Sequence, residues 1–287
     1  MNKYKEKLDK MYSSLGVFNV SLETKCKNAH SCWNGIEDRM RKNDFGGDKV
    51  DCNYAKLYSP WVGTSYDKLK LFILGINMND CGGYDAEIWL AKYAMEAILQ
   101  GKRKINFGNL DYPGTMFWHR VAVYAVAFLE NAKLMKPNWQ GDHFPSKEDV
   151  AKAFEYFAIT NSIKCSPKLS VENDKSKPIS TMWEHCPEFI LKEEIGVLKP
   201  DKILICGNSN NIAYFKRNVL DTPCNLKNYS HIQKGIGQIN GREIEIFVIP
   251  HPAAFGGTNV QILQSLIKSL RVSLKTKLLI NTYFSTC

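Results

Sequence analysis

Two asparagines and an acid follow one of the most apolar segments of the chain. Asn77, Asn79 and Asp80 come directly after "LKLFILGI" (69–76). A neutral amide oxygen can hold a water molecule but cannot accept a full proton, whereas Asp80 or the nearby Asp85 could supply a stronger base. Asparagine also tolerates tight turns, so Asn77 has two interpretations: it places water, or it stabilises the turn after the strand.

Two further polar side chains belong to other apolar segments. Asn161 lies inside "FAITNSIKC", and His251 follows "EIEIFVIP". An unpaired amide in an apolar strand would cost about 1–3 kcal/mol, so Asn161 needs a partner, either the protein backbone or a bound molecule. One amide offers both a donor and an acceptor. His251 either contacts a ligand or is a loop histidine held by the adjacent Pro252.

Four segments rich in Val, Ile, Leu and Phe alternate with helical patterns along the chain. They are residues 69–76, 157–165, 201–207 and 243–250. Near-continuous apolar strands suit a parallel sheet that is covered on both faces, and the alternation with helices implies a doubly wound sheet. We therefore predict a three-layer α/β/α sandwich with a central four-stranded parallel sheet. Ligands of such sheets bind beyond the carboxyl ends of the strands, where these polar residues stand.

The first part of the chain lacks this alternation. We predict an N-terminal extension over residues 1–66 and one α/β domain over residues 67–287, together forming one compact unit. The N-terminus is charged and does not resemble a signal peptide, and no segment approaches the roughly 20 apolar residues of a membrane span. We therefore expect a cytoplasmic protein that does not contact a membrane.

Composition and charge narrow the class of partner. The 287 residues carry a net charge of +9, from 38 basic and 29 acidic residues. Such an excess is typical of proteins that bind polyanions, although a merely basic soluble protein has the same composition. The sequence contains no nucleophile elbow, no Walker loop and no Gly-x-Gly-x-x-Gly turn, which disfavours serine hydrolases, nucleotide kinases and dinucleotide-dependent dehydrogenases.

Five segments, taken in order, resemble motifs of the uracil-DNA glycosylase superfamily. They are "LGINMND", "YPGTMFW", "ITNSIKCSP", "CPEFILKEEIGVLKPDKILICG" and "IPHPAAFGG", and the match around them covers roughly residues 69–270. The similarity is closest to the iron–sulphur branch, with a first motif like that of the mismatch-specific branch. It implies an enzyme that flips a pyrimidine-type base out of DNA, hydrolyses its N-glycosidic bond and leaves an abasic site.

The resemblance assigns a role to individual residues. Asn77 would position the attacking water, and His251 would stabilise charge on the leaving base. Asn161 would read the edge of the base, and Phe117 would stack on the extruded ring. Phe255 is a candidate for the wedge that fills the gap left in the DNA, or else a packed loop aromatic.

The identity of the base depends on Asn79. In uracil-specific members, a tyrosine at this place blocks the methyl group of thymine, and a proline precedes it where this chain has Met78. We therefore expect a less enclosed pocket than that of the uracil-specific members. It would admit uracil or a bulkier modified pyrimidine, including the hypermodified bases of phage DNA. The biological role would be DNA repair or antiviral defence.

Nine cysteines in a reducing compartment are thiols or metal ligands. The iron–sulphur branch holds a structural 4Fe–4S cluster with four cysteines, and the resemblance assigns Cys165 and Cys186 as two of them. Cys26 and Cys32 are the best N-terminal pair, with a wider spacing than the family has, and Cys52 could replace either one. Four thiolates would also suit zinc, and a chain without metal is the third possibility.

Two other functions stay open. One is a DNA- or nucleotide-binding module that keeps a glycosylase fold without catalysis, and the other is hydrolysis of a free nucleoside. No lysine stands at a strand end in a place that suggests a Schiff-base lyase, so the enzyme would be monofunctional. The expected partner is DNA, and the expected state is a monomer.

Overall fold

The computed structural model of the protein describes most of the α/β region and one N-terminal helix. The described residues are 3–16, 56–57, 59–76, 86–102, 105–107, 110–112, 115–140, 144–166, 180–207, 209–252 and 260–271. The helices are α1 (Lys3–Ser14), α2 (Tyr66–Leu69), α3 (Ala86–Leu99), α4 (Thr115–Asn131), α5 (Lys147–Ala153), α6 (Ser180–Cys186), α7 (Lys192–Leu198), α8 (Ser209–Asn218) and α9 (260–271), with a π-helical turn, Pro187–Leu191, between α6 and α7. The strands are β1 (Lys56–Leu57), β2 (Trp61–Val62), β3 (Leu71–Gly75), β4 (Ile105–Phe107), β5 (Leu110–Tyr112), β6 (Trp139–Gln140), β7 (Phe144–Pro145), β8 (Phe157–Asn161), β9 (Cys165–Ser166), β10 (Lys202–Cys206), β11 (Lys227–Tyr229), β12 (Ile232–Ile239) and β13 (Arg242–Ile249).

A seven-stranded mixed sheet runs through the described structure in the order β11-β12-β13-β10-β3-β8-β2. The four adjacent strands β13, β10, β3 and β8 pair in parallel. Antiparallel strands extend the sheet at both edges, β12 and β11 beside β13, and β2 beside β8. The predicted α/β class is confirmed, but the sheet has seven strands instead of four because these edge strands add to it.

Helices cover both faces of the sheet. Phe72 and Leu74 of β3 enter one core together with α1, α6, α7 and α8. Leu71 and Ile73 enter a second core with α3, α4, α5 and α9. Side chains alternate between the faces of a strand, so burial on both faces explains why the strand sequences are apolar without interruption. None of the helices in the described ranges is long and apolar enough to cross a membrane.

A buried ion pair ties the N-terminal helix to the sheet. The ammonium of Lys164, which follows β8, lies 2.5 Å from Oε2 of Glu194 in α7 and also donates to the hydroxyl of Thr160. The hydroxyl of Tyr12 in α1 donates to the other carboxylate oxygen of Glu194. Burial raises the pKa of Glu194, and the charge of Lys164 opposes that rise. Helix α1 is thus part of the same packed unit as the α/β region.

We expect Lys164→Met to lower the free energy of unfolding by about 3–5 kcal/mol, because it leaves the buried carboxylate of Glu194 without its cation. The double variant Lys164→Met/Glu194→Gln should recover part of this loss, because no unpaired charge remains. The matched control is Arg242→Met, which breaks the exposed ion pair with Asp201 (3.0 Å) and should cost no more than about 1 kcal/mol. Urea unfolding measures all three, and a cost for Lys164→Met no larger than the control would contradict the assignment.

Candidate functional site

The carboxyl ends of the four parallel strands meet on one side of the sheet, which we call the carboxyl edge. Gly75 at the end of β3 is in register with Asn161 at the end of β8. Cys206 at the end of β10 is in register with Ile249 at the end of β13. The four strand ends therefore bring the segments that follow them close together, as the parallel arrangement requires.

Three of the predicted site residues lie together at this edge, around Gly75. A Cβ atom at Gly75 would lie 2.3 Å from Oδ1 of Asn161 and 3.6 Å from Cζ of Phe117. The ring of Phe117 stacks on the ring of His251, with a centroid distance of 5.5 Å and an interplanar angle of 28°. All three side chains are half-buried. An amide, an aromatic ring and an imidazole thus share one site.

Helix α4 carries Phe117 to the edge. The helix packs through Val121, Ala122 and Ala125, which are fully buried between the sheet and the neighbouring helices. Trp118 meets Phe117 edge-on at 6.0 Å and stacks on Phe154 in the core at 6.1 Å. The first turns of α4 therefore anchor Trp118 in the core and leave Phe117 at the carboxyl edge.

Arg120 links α4 to the segment that carries His251. Its guanidinium donates to the backbone carbonyl of Pro252, the residue directly after His251. A charged donor makes a stronger hydrogen bond to a carbonyl than a neutral donor does. The contact places a positive charge close to His251 and holds the backbone beside the imidazole.

The surroundings of His251 favour the neutral form of its imidazole. Burial lowers its pKa from the ordinary value for histidine, because the imidazolium ion would lose hydration. A neutral imidazole has one nitrogen that donates and one that accepts a hydrogen bond. At this edge His251 can therefore donate to an oxygen on a ligand.

No role is predicted from the sequence for Asn211, which lies beneath the carboxyl edge in the structure. Its amide nitrogen donates to the carbonyls of Gly75 (3.3 Å) and Cys206 (3.1 Å). Its Oδ1 atom accepts from the hydroxyl of Ser162. The available signal was "GNSNN", which puts asparagines in the first turn of a helix directly after a strand end.

An open groove of about 460 Å³ adjoins this side of the site. Gly207, Ile249 and Pro250 line it at the strand ends, and Ser230 and His231 line it in the β11–β12 turn. Pro250 immediately precedes His251, so the groove and the imidazole belong to neighbouring residues of the same segment.

The remaining predicted residues of the site lie outside the described residues. They are Asn77, Asn79, Asp80, Asp85, Phe255, Cys26, Cys32 and Cys52. Asn77 comes two residues after Gly75 in the sequence, and Phe255 comes four residues after His251.

Cys186 is the one proposed metal ligand whose side chain the structure describes. It ends α6 and is buried in the core on the α1 face of the sheet. The backbone of Cys165 pairs with Leu57 between β9 and β1. Within the described part of the chain, no three His, Cys, Asp or Glu side chains gather so as to hold a metal ion.

Two other buried cysteines, Cys206 and Cys224, have surroundings that favour a packing role over metal binding. Burial raises the pKa of the thiols of Cys206 and Cys224. A raised pKa disfavours the thiolate, which is the form that binds a metal.

Comparisons with known proteins assign no function to the candidate site. No protein-family model and no curated protein matches the sequence. Among solved structures, similarity is found to a domain of unknown function (DUF1537) from Bordetella bronchiseptica, a domain-swapped dimer with bound citrate. The identity is 9% and the TM-score is 0.28, over 74% of this chain and 41% of the other.

We expect His251→Asn to weaken the pH dependence of stability. The folded-state pKa of His251 is depressed, so its contribution to stability is complete above the unfolded value of about 6.5 and is lost as the pH falls. The drop in unfolding free energy between about pH 7.5 and 5.5 should therefore be smaller in the variant than in the parent. Burial also lowers the pKa of His119, but this residue is present in both the variant and the parent, so its effect is the same in the two proteins. Replacement of the exposed His231 by asparagine is the control, and an undiminished drop in His251→Asn would refute the prediction.

Proposed function

We propose that this protein is a monofunctional DNA glycosylase. It flips a pyrimidine-type base out of DNA and hydrolyses the N-glycosidic bond, leaving an abasic site. The observation that carries the proposal is the meeting of Asn161, Phe117 and His251 around Gly75 at the carboxyl edge. Each of these side chains has the chemistry that one part of the reaction needs, and the order of the five sequence motifs supports the same function.

Recognition of the base falls to Phe117 and Asn161. An extruded base is bound by stacking on a ring and by hydrogen bonds to its Watson–Crick edge. The Phe117 ring is half-buried, as such a stacking surface should be. The amide of Asn161 can donate to one atom of the base and accept from another, which suits pyrimidines of the uracil or cytosine type.

Bond cleavage requires stabilisation of the leaving base. As the N-glycosidic bond breaks, positive charge develops on the sugar and negative charge on the base. His251 donates a hydrogen bond to a base oxygen, and partial burial strengthens this interaction. Because the sugar is already cationic, the water needs placing more than activation, and a neutral amide is sufficient. We assign that role to Asn77 from its place in the first motif.

Contacts with the rest of the DNA are assigned from the sequence. The net charge of +9 favours binding to phosphates. Phe255 is the proposed wedge that takes the place of the flipped base. Asn79 stands where a bulky residue would exclude substituted pyrimidines, so we propose that the pocket admits uracil or a bulkier modified pyrimidine, as in hypermodified phage DNA, with a role in DNA repair or antiviral defence.

The proposed fold is that of the uracil-DNA glycosylases. Four adjacent parallel strands with helices on both faces support this proposal. The antiparallel strands β11, β12 and β2 are additions at the edges of that arrangement.

We also propose a structural 4Fe–4S cluster, held by Cys26, Cys32, Cys165 and Cys186. Four thiolates are the donor set that such clusters take. Cys186 and Cys165 lie on either side of the segment 167–179, so one cluster would tie this segment and the N-terminal extension to the sheet. The cluster would fix the chain and take no part in the hydrolysis.

The test of the proposed function is base release from DNA. Oligonucleotides with uracil and DNAs with modified pyrimidines are incubated with the protein, and mass spectrometry identifies each released base. We expect one class of pyrimidine to be released and abasic sites to appear. Asn161→Ala should slow release by about 100-fold, because each lost transition-state contact of this kind is worth several kcal/mol.

The control for Asn161→Ala is Asn138→Ala, which removes an exposed amide directly before β6, beyond the C-terminal end of the helix whose first turn carries Phe117. Release should continue at the parental rate in this variant. Binding to DNA without release of any base would contradict the glycosylase assignment and support a binding module. Release from free nucleosides but not from DNA would instead support a nucleoside hydrolase.

The test of the cluster uses protein purified without oxygen. The parent should contain about four iron atoms per chain and absorb visible light broadly. Cys186→Ser should lose most of the iron, whereas Cys224→Ser, another buried cysteine outside the proposed set, should keep it. Zinc in place of iron, or equal metal content in the two variants, would count against the cluster.

A further inference from the structure

Asn211 connects the ends of three neighbouring strands. It is the third residue of α8 and is fully buried. Its amide nitrogen donates to carbonyls at the ends of β3 and β10, and its oxygen accepts from Ser162 just beyond β8. We propose that Asn211 is a positioning residue, which fixes the spacing of these strand ends and thereby sets Asn161 in place for base recognition. This inference rests on the proposed function.

The donors and acceptor of the Asn211 amide match the groups that surround it. Two N–H groups meet two carbonyl oxygens, and the remaining oxygen meets a hydroxyl. A carboxylate of the same shape would turn an oxygen with negative charge toward both carbonyls. Alanine would leave the carbonyls of Gly75 and Cys206 without these donors in a buried place, which is costly.

The effect of Asn211 reaches the site through the backbone. Ser162, which donates to Asn211, directly follows Asn161, and its N–H donates to the carbonyl of Gly75 at 3.1 Å. Gly75 thus accepts from both Ser162 and Asn211. A change at Asn211 would therefore shift Gly75 and Asn161 relative to each other, where Oδ1 of Asn161 already occupies the space of a Cβ atom.

A backbone hydrogen bond also links the end of β10, which Asn211 holds, to the end of β13, the strand that precedes His251. The N–H of Gly207, one residue after Cys206, donates to the carbonyl of Ile249 at 3.1 Å. Because Asn211 is fully buried, it acts on a ligand through these neighbours and not by contact.

The first measurement is native-state hydrogen exchange, which does not depend on activity. The amides of Ser162, Ile163 and Gly207 make backbone hydrogen bonds across the carboxyl edge and should be protected in the parent. In Asn211→Asp we expect their exchange to be on the order of tenfold faster. Val219→Ala, a buried substitution after the same helix, is the control for a general loss of stability. Equal exchange in the two variants would overturn the proposal.

The second measurement separates chemistry from binding. In Asn211→Asp the single-turnover rate of base release should fall about 10- to 100-fold, because small displacements of a reacting group have large costs. The dissociation constant for DNA should change less than about threefold, as most of that affinity comes from phosphate contacts. A rate equal to that of Val219→Ala would overturn the proposal while the glycosylase assignment stands.

A milder variant keeps the test valid if Asn211→Asp does not fold. Ser162→Ala removes one hydrogen bond to Asn211 and leaves both bonds to the carbonyls. It should show the same two effects to a smaller degree, and parental exchange and rate would overturn the proposal. If the parent releases no base from any DNA, the proposed function fails, and the exchange measurement alone decides whether Asn211 holds the strand ends.

Discussion

The parallel pairing of β3 with β8 is the constraint on which the carboxyl edge depends. Its register sets Gly75 opposite Asn161. A shift by one residue would turn every side chain of a strand to the other face, and both faces here are packed cores, so the register cannot slip. Because Gly75 has no side chain, the amide of Asn161 fits against its backbone and Phe117 closes over it. The absence of a Cβ atom at Gly75 therefore allows the amide of Asn161 and the ring of Phe117 to lie close together.

One short segment serves both the edge and the core. Thr160 and Lys164 turn into the core, where Lys164 pairs with Glu194, while Asn161 between them is half-exposed at the edge. The lysine of the motif "ITNSIKCSP" is thus a structural cation, and Tyr12 of α1 donates to the same carboxylate that the lysine pairs with. Breaking a buried pair is expensive, so this network holds the chain on both sides of Asn161 and restricts how far the amide can move.

Local pattern and connectivity explain how much could be predicted from the sequence. The parallel strands follow from uninterrupted apolar segments, and the placement of Asn161 and His251 at one edge of the sheet follows from the carboxyl ends of such strands. The prediction of four strands does not include the β12–β13 hairpin, although the pair Asn240-Gly241 is a strong hairpin signal in the sequence. Both turn residues have positive φ (51° and 70°), as that signal implies. Contacts between distant residues, such as Tyr12 with Glu194 at a separation of 182 residues, leave no local pattern at all.

Burial links the pKa of His251 to the proposed chemistry. Partial removal from water disfavours the imidazolium ion, which lowers the pKa of His251 and favours the neutral ring. The same removal from water strengthens a hydrogen bond from the neutral ring to an oxygen that gains negative charge, because the local dielectric is low. Arg120 adds a fixed positive charge nearby, held on the carbonyl of Pro252. In the proposed reaction, a neutral donor backed by a fixed cation would favour the leaving base as its charge grows, without a proton having to move first.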